Sequence, residues 1–284
     1  MRIIFTDNIT QKLLDVLRPP LSSANEIKFG VAFVKYSGLS LIEEDIKRCL
    51  KSNGKAEFLV GLDFKTTEPK ALKTLFEISN SGLNLKLFCY SDPSLNDTPV
   101  YHPKIYLVRD GNRAVISIGS SNLTSGGLKG NVEVNAIIEA NTDDEIVSDI
   151  YGLYNRLKFQ KARFEPDLEY IEEYQETYKI FRKKSLEVLK DKSARNRVRA
   201  LREREKVLPK PKPSRTELFG WQKLICERLP EGIFQPNDMY SYEGELRKFY
   251  PENRHIKDKI RQILQQLRDL GLLKYVGKNR WSKS

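Results

Sequence analysis

Residues Tyr101–Glu139 read YHPKIYLVRDGNRAVISIGSSNLTSGGLKGNVEVNAIIE, and the rest of the chain is best read outward from this stretch. Histidine is rare: only His102 and His255 occur among 284 residues. His102 begins a run, continued by Lys104–Val108, with the apolar and β-branched make-up of a strand. Two residues along a strand return to the same face, so the imidazole and the Lys104 ammonium should point together toward one sheet edge. Asp110-Gly111-Asn112 is a hairpin signal, and the next strand, Ala114–Ile118, leads into Gly119-Ser120-Ser121-Asn122. Hydroxyl and amide donors beside a lysine suit phosphate oxygens, and an imidazole can act there as nucleophile or as general acid/base. Either piece alone is more often structural. Their order, on suitable elements, points to phosphoryl chemistry.

Upstream, strands and helices alternate. Ile27–Val34, Glu57–Gly61 and Leu83–Tyr90 read as strands. Leu39–Leu50 has helical periodicity with Ile42, Ile46 and Leu50 on one face, and Pro69–Ser79 is a helix with proline in its first turn. Downstream, Val132–Ile138 reads as a strand and Asp143–Leu157 as an amphipathic helix. The pattern predicts an α/β sandwich with a mixed sheet.

The central stretch resembles the phospholipase D superfamily, whose signature is His-x-Lys, a later Asp, and then Gly-Ser-x-x-Asn. The resemblance rests on His102, Lys104, Gly119, Ser120 and Asn122, with Glu133 in the place of the acid after the Asn. It implies that residues 1–160 form one phospholipase D-like catalytic domain. It also implies metal-independent phosphodiester cleavage, without a cofactor, through a phosphohistidine on one His while a second His protonates the leaving oxygen. Asp110 falls one position late for the family Asp and sits in the hairpin signal, so it is equally a turn residue. No second His-x-Lys with its Gly-Ser-x-x-Asn follows. Single-motif relatives build the site across a homodimer, and the same is expected here. The resulting catalytic set is His102, Lys104, Ser120, Asn122 and Glu133, with Glu133 expected to orient a histidine and no metal ligands.

Residues 161–215 read as a helical basic linker: long polar helices with a stripe at Ile180, Leu186 and Leu189, then an extended spacer carrying Pro209, Pro211 and Pro213. The last unit, 216–284, has three helical segments, Leu218–Leu229, Tyr242–Phe249 and Arg254–Leu270. Trp221, Leu224 and Ile225 are expected inward on the first, and Ile256, Ile260, Ile263, Leu264 and Leu267 on the third. Leu272–Val276, a basic turn at 277–280 and Trp281 complete the outline of a winged helix. Lys257, Arg261, Gln262, Gln265 and Arg268 lie opposite the apolar stripe, and Arg and Gln match guanine and adenine edges. Lys278 and Arg280 mark the wing. The stretch 255–281 resembles the winged-helix domains attached to prokaryotic restriction endonucleases.

Charge agrees. The chain carries a formal net +11, yet residues 1–165 hold 21 basic against 20 acidic groups, while 182–215 hold 14 against 4. Arg195, Arg197 and Arg199 sit in that basic segment, which suits salt-dependent phosphate contact. Cys49, Cys89 and Cys226 are scattered, with no zinc or disulfide spacing, and no apolar run approaches a membrane span. The expectation is a cytoplasmic prokaryotic DNA endonuclease of restriction or anti-phage defence type. Its expected partners are double-stranded DNA, a second copy of the chain and a helicase or methyltransferase, but no membrane. A lipid head-group hydrolase, an RNA nuclease and a catalytically inactive DNA-binding regulator remain as alternatives.

Overall fold

The computed structural model of the protein describes residues 1–91, 99–160, 162–207, 218, 220–251 and 253–284. Most of the loop expected before the motif and the proline spacer lie outside these residues. The chain divides into two compact units, Met1–Asn196 and Arg197–Ser284.

Among the described residues of the first unit, eight strands form one sheet: β1 (Arg2–Thr6), β2 (Glu26–Val31), β3 (Lys55–Gly61), β4 (Leu85–Tyr90), β5 (Lys104–Asp110), β6 (Arg113–Gly119), β7 (Asn135–Asn141) and β8 (Arg163–Phe164). Their order is β1-β7-β6-β5-β2-β3-β4-β8. β2, β3 and β4 are mutually parallel, and the remaining pairings are antiparallel. The connections dictate this split. Helices α2 (Tyr36–Leu39) and α3 (Glu43–Lys51) carry the chain from β2 to β3, and α4 (Pro69–Ser79) carries it to β4. β5 and β6 instead pair from Asp110↔Arg113 across a two-residue turn. The mixed α/β sheet expected from the pattern is present.

Side-chain alternation builds two cores. Ile27, Phe29 and Val31 of β2 are fully buried with Leu13, Leu17 and Leu21 of α1 (Leu13–Ser22), Ile46 of α3 and Leu72 of α4. Burying a side chain such as Phe29 contributes about 1.5–3 kcal/mol. On the other face, Leu59, Leu107 and Ile116 pack with Val147, Ile150 and Tyr154 of α5 (Glu145–Lys158). That face also holds a buried charge cluster: Lys28 Nζ lies 3.1 Å from Glu57, Lys158 Nζ lies 2.7 Å from Glu57, and Arg109 lies 2.9 Å from Glu26. Burial pushes the Glu57 carboxyl up, but Lys158 and Lys28 together hold it below the usual range.

Several elements differ from the sequence expectation. β1 and α1 have no counterpart there: β1 points Ile3 and Phe5 outward, and α1 contains Pro19 and Pro20. β7 begins at Asn135, not Val132, because 131–134 folds as a loop held by Glu133 N–H to Asp7 O and Ser120 N–H to Val134 O. The boundary expected at 160 falls inside the first unit. Helix α6 (Leu168–Lys190) buries Ile171, Tyr174 and Tyr178, and the Tyr174 hydroxyl donates to the Asp63 and Thr67 carbonyls. Of the expected stripe, Ile180 is exposed, and Ile171, Tyr174 and Tyr178 pack instead. The side chains of Leu186 and Leu189 lie outside the described residues.

The division between the units falls within α7 (Lys192–Val207). The second unit contains α8 (Gly220–Glu227), β9 (Ile233–Phe234), a 3-10 segment (Pro236–Tyr242), α9 (Glu243–Phe249), α10 (Ile256–Asp269), β10 (Leu273–Gly277) and β11 (Arg280–Lys283). Its strands pair in the order β10-β11-β9. Ile256, Ile260, Ile263, Leu264 and Leu267 are buried as their helical spacing requires, and Trp281 closes the core. Ile225 is buried, while Trp221 and Leu224 are only partly covered. Three helices with a terminal β-hairpin make a winged helix.

Candidate functional site

One end of the large sheet collects the candidate chemistry. β2 and β6 end there, and β5 and β7 begin there. The strand carrying Lys104 starts at Lys104 itself, so His102 lies just outside it rather than within it. The two side chains still meet. Lys104 is buried and His102 exposed, and Lys104 Nζ lies 2.6 Å from His102 Nδ1, 3.0 Å from Nε2 and 2.9 Å from the His102 carbonyl oxygen. Desolvation, then the Lys104 ammonium, hold the imidazole below its ordinary pKa. Desolvation also lowers Lys104, while the Glu133 carboxylate opposes that shift. The neutral imidazole has a lone pair, the form a nucleophile requires.

Beyond β6, Gly119-Ser120-Ser121-Asn122 wraps the same end. A Cβ on Gly119 would lie 2.2 Å from Val134 O, and one on Gly127 would lie 2.3 Å from Asn122 O, so both positions exclude larger residues. Ser120 Oγ donates to Glu133 Oε2 at 2.5 Å and accepts from the Val134 N–H at 3.0 Å. Asn131 Nδ2 donates to the other Glu133 oxygen at 3.3 Å. Asn122 Oδ1 accepts the Phe33 N–H at 3.3 Å, which directs the carboxamide NH2 away from that backbone. One end of the sheet thus carries an imidazole, an ammonium, an amide and a hydroxyl, a set suited to a phosphate group.

One expectation needs correction, and position decides the open assignment of Asp110. Within one subunit the Glu133 carboxylate is occupied by Ser120 and Asn131, so it steadies the Ser120 loop instead of orienting His102. Asp110 lies at the opposite end of β5, about 20 Å along the strand from Lys104 at the usual strand rise. There it accepts from Ser23 Oγ at 2.6 Å and serves the hairpin.

Asn135 and Tyr106 are additional supports. Asn135 is buried, donates to Ser121 Oγ at 2.9 Å and Thr6 Oγ1 at 3.2 Å, and accepts from Ser121 N–H. The Tyr106 hydroxyl donates to Ser121 O at 2.9 Å. A polar residue at an inward strand position was the available signal for Asn135. Among the described residues, no group of three or more His, Cys, Asp or Glu is arranged to hold a metal ion.

In the second unit, Lys257, Arg261, Gln262, Gln265 and Arg268 all lie exposed on α10. Arg261 donates to the Tyr240 hydroxyl at 2.6 Å and lies 3.2 Å from Asp258. Lys257 also lies over the Tyr240 ring, 5.5 Å from its centroid. Arg268 pairs with Asp269 at 2.7 Å, and Gln262 accepts from Lys259 at 2.9 Å. Lys278 and Arg280 are exposed at the wing, and Arg195, Arg197 and Arg199 are exposed along α7. His255, the other histidine, immediately precedes α10. Among the described residues no helix is long and apolar enough to cross a membrane, and Cys49, Cys89 and Cys226 are buried and form no disulfide.

Residues 22–157 match the family described as cardiolipin synthase, PLD-like domain, and residues 220–283 match the family described as Dam-replacing HTH domain. Among solved structures, NucT from Helicobacter pylori is 15% identical with a TM-score of 0.45, covering 58% of this chain and 99% of that one. Nuc from Salmonella typhimurium, a phospholipase D family member, is 16% identical with a TM-score of 0.43, over 58% of this chain and 99% of that one. Phosphatidylserine synthase from Haemophilus influenzae is 14% identical with a TM-score of 0.45, over 66% of this chain and 46% of that one.

Proposed function

We propose that this chain, a phospholipase D-like phosphodiesterase domain joined to a C-terminal Dam-replacing helix-turn-helix domain, is a DNA endonuclease that works as a homodimer. The observation that carries the reading is the pairing of a neutral-leaning His102 with buried Lys104 at the sheet end that also bears Ser120 and Asn122.

The reaction runs in two displacements. The lone pair of one His102 attacks the scissile phosphorus. The bond to the leaving nucleoside oxygen breaks, and the imidazolium of the partner's His102 gives that oxygen a proton. The partner's His102, now neutral, takes a proton from water as the water oxygen attacks the phosphohistidine. The P–N bond breaks and both histidines are restored. Lys104 and Asn122 from each copy stabilise the nonbridging oxygens as charge grows. No step needs a metal.

Two observations favour a dimer. One subunit supplies a single His-x-Lys followed by Gly-Ser-x-x-Asn, whereas this chemistry uses two imidazoles. Phe5, Ile9, Val132 and Val134, near the Glu133 N–H to Asp7 O contact, are 69%, 71%, 74% and 64% exposed and form an apolar collar. The unit bearing it is nearly neutral, with 21 basic and 20 acidic groups in residues 1–165, so two copies do not repel. The winged helix would select the site and α7 would add phosphate contact. We further propose a role in restriction or another defence against foreign DNA.

The test is cleavage of long methylated and unmethylated DNA in excess EDTA, comparing wild type with His102→Ala. Discrete cutting by wild type alone, with DNA binding retained in both proteins, is expected. Tight binding without cutting under every condition would leave a binding protein instead.

A further inference from the structure

The residue before His102 is as constrained as Lys104, but on the other face of the sheet. Tyr101 is buried, and its ring stacks on Tyr90 with centroids 4.2 Å apart and planes 20° apart. It sits over two glycines on adjacent strands. A Cβ on Gly30 of β2 would lie 3.1 Å from the Tyr101 hydroxyl oxygen, and one on Gly61 of β3 would lie 3.0 Å from Tyr101 Cδ1. The absence of side chains at both positions creates the seat for the ring. Tyr101 packs in the layer that contains Tyr154 of α5, whereas Lys104 reaches into the helix-covered layer opposite. Pro103, with its fixed φ, lies between them. The exposed His102 is therefore bracketed by two buried anchors on opposite faces. The His102 side chain itself is exposed.

We propose that Tyr101 is a positioning residue: its ring, locked between Tyr90 and the Gly30–Gly61 seat, fixes the chain at 101–103 so that the His102 imidazole meets the Lys104 ammonium. The ring does this, not the hydroxyl, which is buried with no hydrogen-bond partner among the described residues. The inference rests on His102 as the reacting group, but it concerns the geometry of the protein without substrate.

Three variants of the full chain test it: Tyr101→Phe, Tyr101→Ala and Gly30→Ala. Gly30→Ala places a Cβ 3.1 Å from the Tyr101 hydroxyl oxygen and 3.4 Å from Tyr154 Cε2, so the Tyr101 side chain must shift while the site residues keep their identity. Two readouts are taken. One is the NMR titration of the His102 imidazole, with His255→Gln used to assign the two signals. The other is the split between kcat and KM for DNA cleavage.

Tyr101→Phe should match wild type in both. Tyr101→Ala should raise the His102 midpoint toward the ordinary imidazole value and cut kcat about 100-fold, with KM within about twofold. Gly30→Ala should move both in the same direction by less. A folded Tyr101→Ala protein with unchanged His102 titration and unchanged kcat would overturn the proposal. So would a Tyr101→Phe protein that behaves like Tyr101→Ala. If Tyr101→Ala does not fold, Gly30→Ala decides by the same criteria. If the wild-type protein cleaves nothing, the endonuclease reading fails, and the His102 titration alone decides the role of Tyr101.

Discussion

The Lys104 ammonium stands 2.6 Å from Nδ1 of His102, although one side chain is buried and the other faces solvent. A buried cation needs partners, and here Lys104 Nζ lies within hydrogen-bonding reach of Nδ1, Nε2 and the carbonyl oxygen of His102. The pair therefore links a fixed element of the sheet to an exposed reactive group. It also gives the imidazole a reason to remain neutral.

Replacing Lys104 with Met keeps the length of the side chain and removes its charge. We expect kcat to fall roughly 100- to 1000-fold, as for loss of one transition-state donor. The His102 titration should also move upward, because the cation that disfavours imidazolium is gone. Single-turnover cleavage and NMR titration check the two effects separately.

The depressed His102 pKa fixes the sign of the pH dependence. A base with a lowered pKa stays neutral to lower pH, so the acid limb of kcat/KM should lie below about 6.5, the unperturbed imidazole value. An acid limb above that value would mean that His102 gains a proton more readily in the folded protein than in water. Linkage gives the matching stability effect. Because the folded state disfavours the protonated ring, this group costs stability as pH falls through the unfolded value.

Ser120 and Glu133 form one unit through their 2.5 Å hydrogen bond. Ser120→Ala and Glu133→Gln should each lower activity, and the double variant should cost little more than the worse single one. The coupling energy should be about 1–3 kcal/mol in magnitude, as for residues sharing one network. Additive effects in a double-mutant cycle would show that the two act independently.

The two exposed basic regions should separate in their effects. Arg261→Ala or Gln265→Ala on α10 should cost about 1–3 kcal/mol of discrimination between sites. Reversing charge at Arg195, Arg197 and Arg199 should weaken binding to all DNA and flatten its salt dependence, by about one unit of slope per lost phosphate contact. Binding measured on specific and scrambled duplexes across a salt series distinguishes them. An unchanged slope would remove α7 from the interface.

The exposed collar gives a direct test of the dimer. Phe5→Asp with Val134→Asp should convert the protein to monomers by sedimentation and abolish cleavage, while the winged helix still binds DNA. Both positions are exposed, so folding should tolerate the change. Full activity from a monomer would show that one copy of His102 suffices.

The alternating strands, the winged helix and the identity of the motif residues were legible from the order of residues alone. These are local properties: two-residue periodicity in Ile27–Val31, the helical stripe from Ile256 to Leu267, and a histidine two positions before a lysine. Resemblance to a known signature then supplied the reading of that motif, which periodicity cannot do. What depends on contacts between distant segments emerged with the folded chain. It put Asp110 at the wrong end of β5, tied Glu133 to Ser120, brought Phe33 to Asn122 and moved the first unit's limit into α7. It also showed that Tyr101 fills a space left by two glycines on other strands. A side chain's partner across a sheet is fixed by register and by which face it takes, and a single sequence specifies neither until the strands pair.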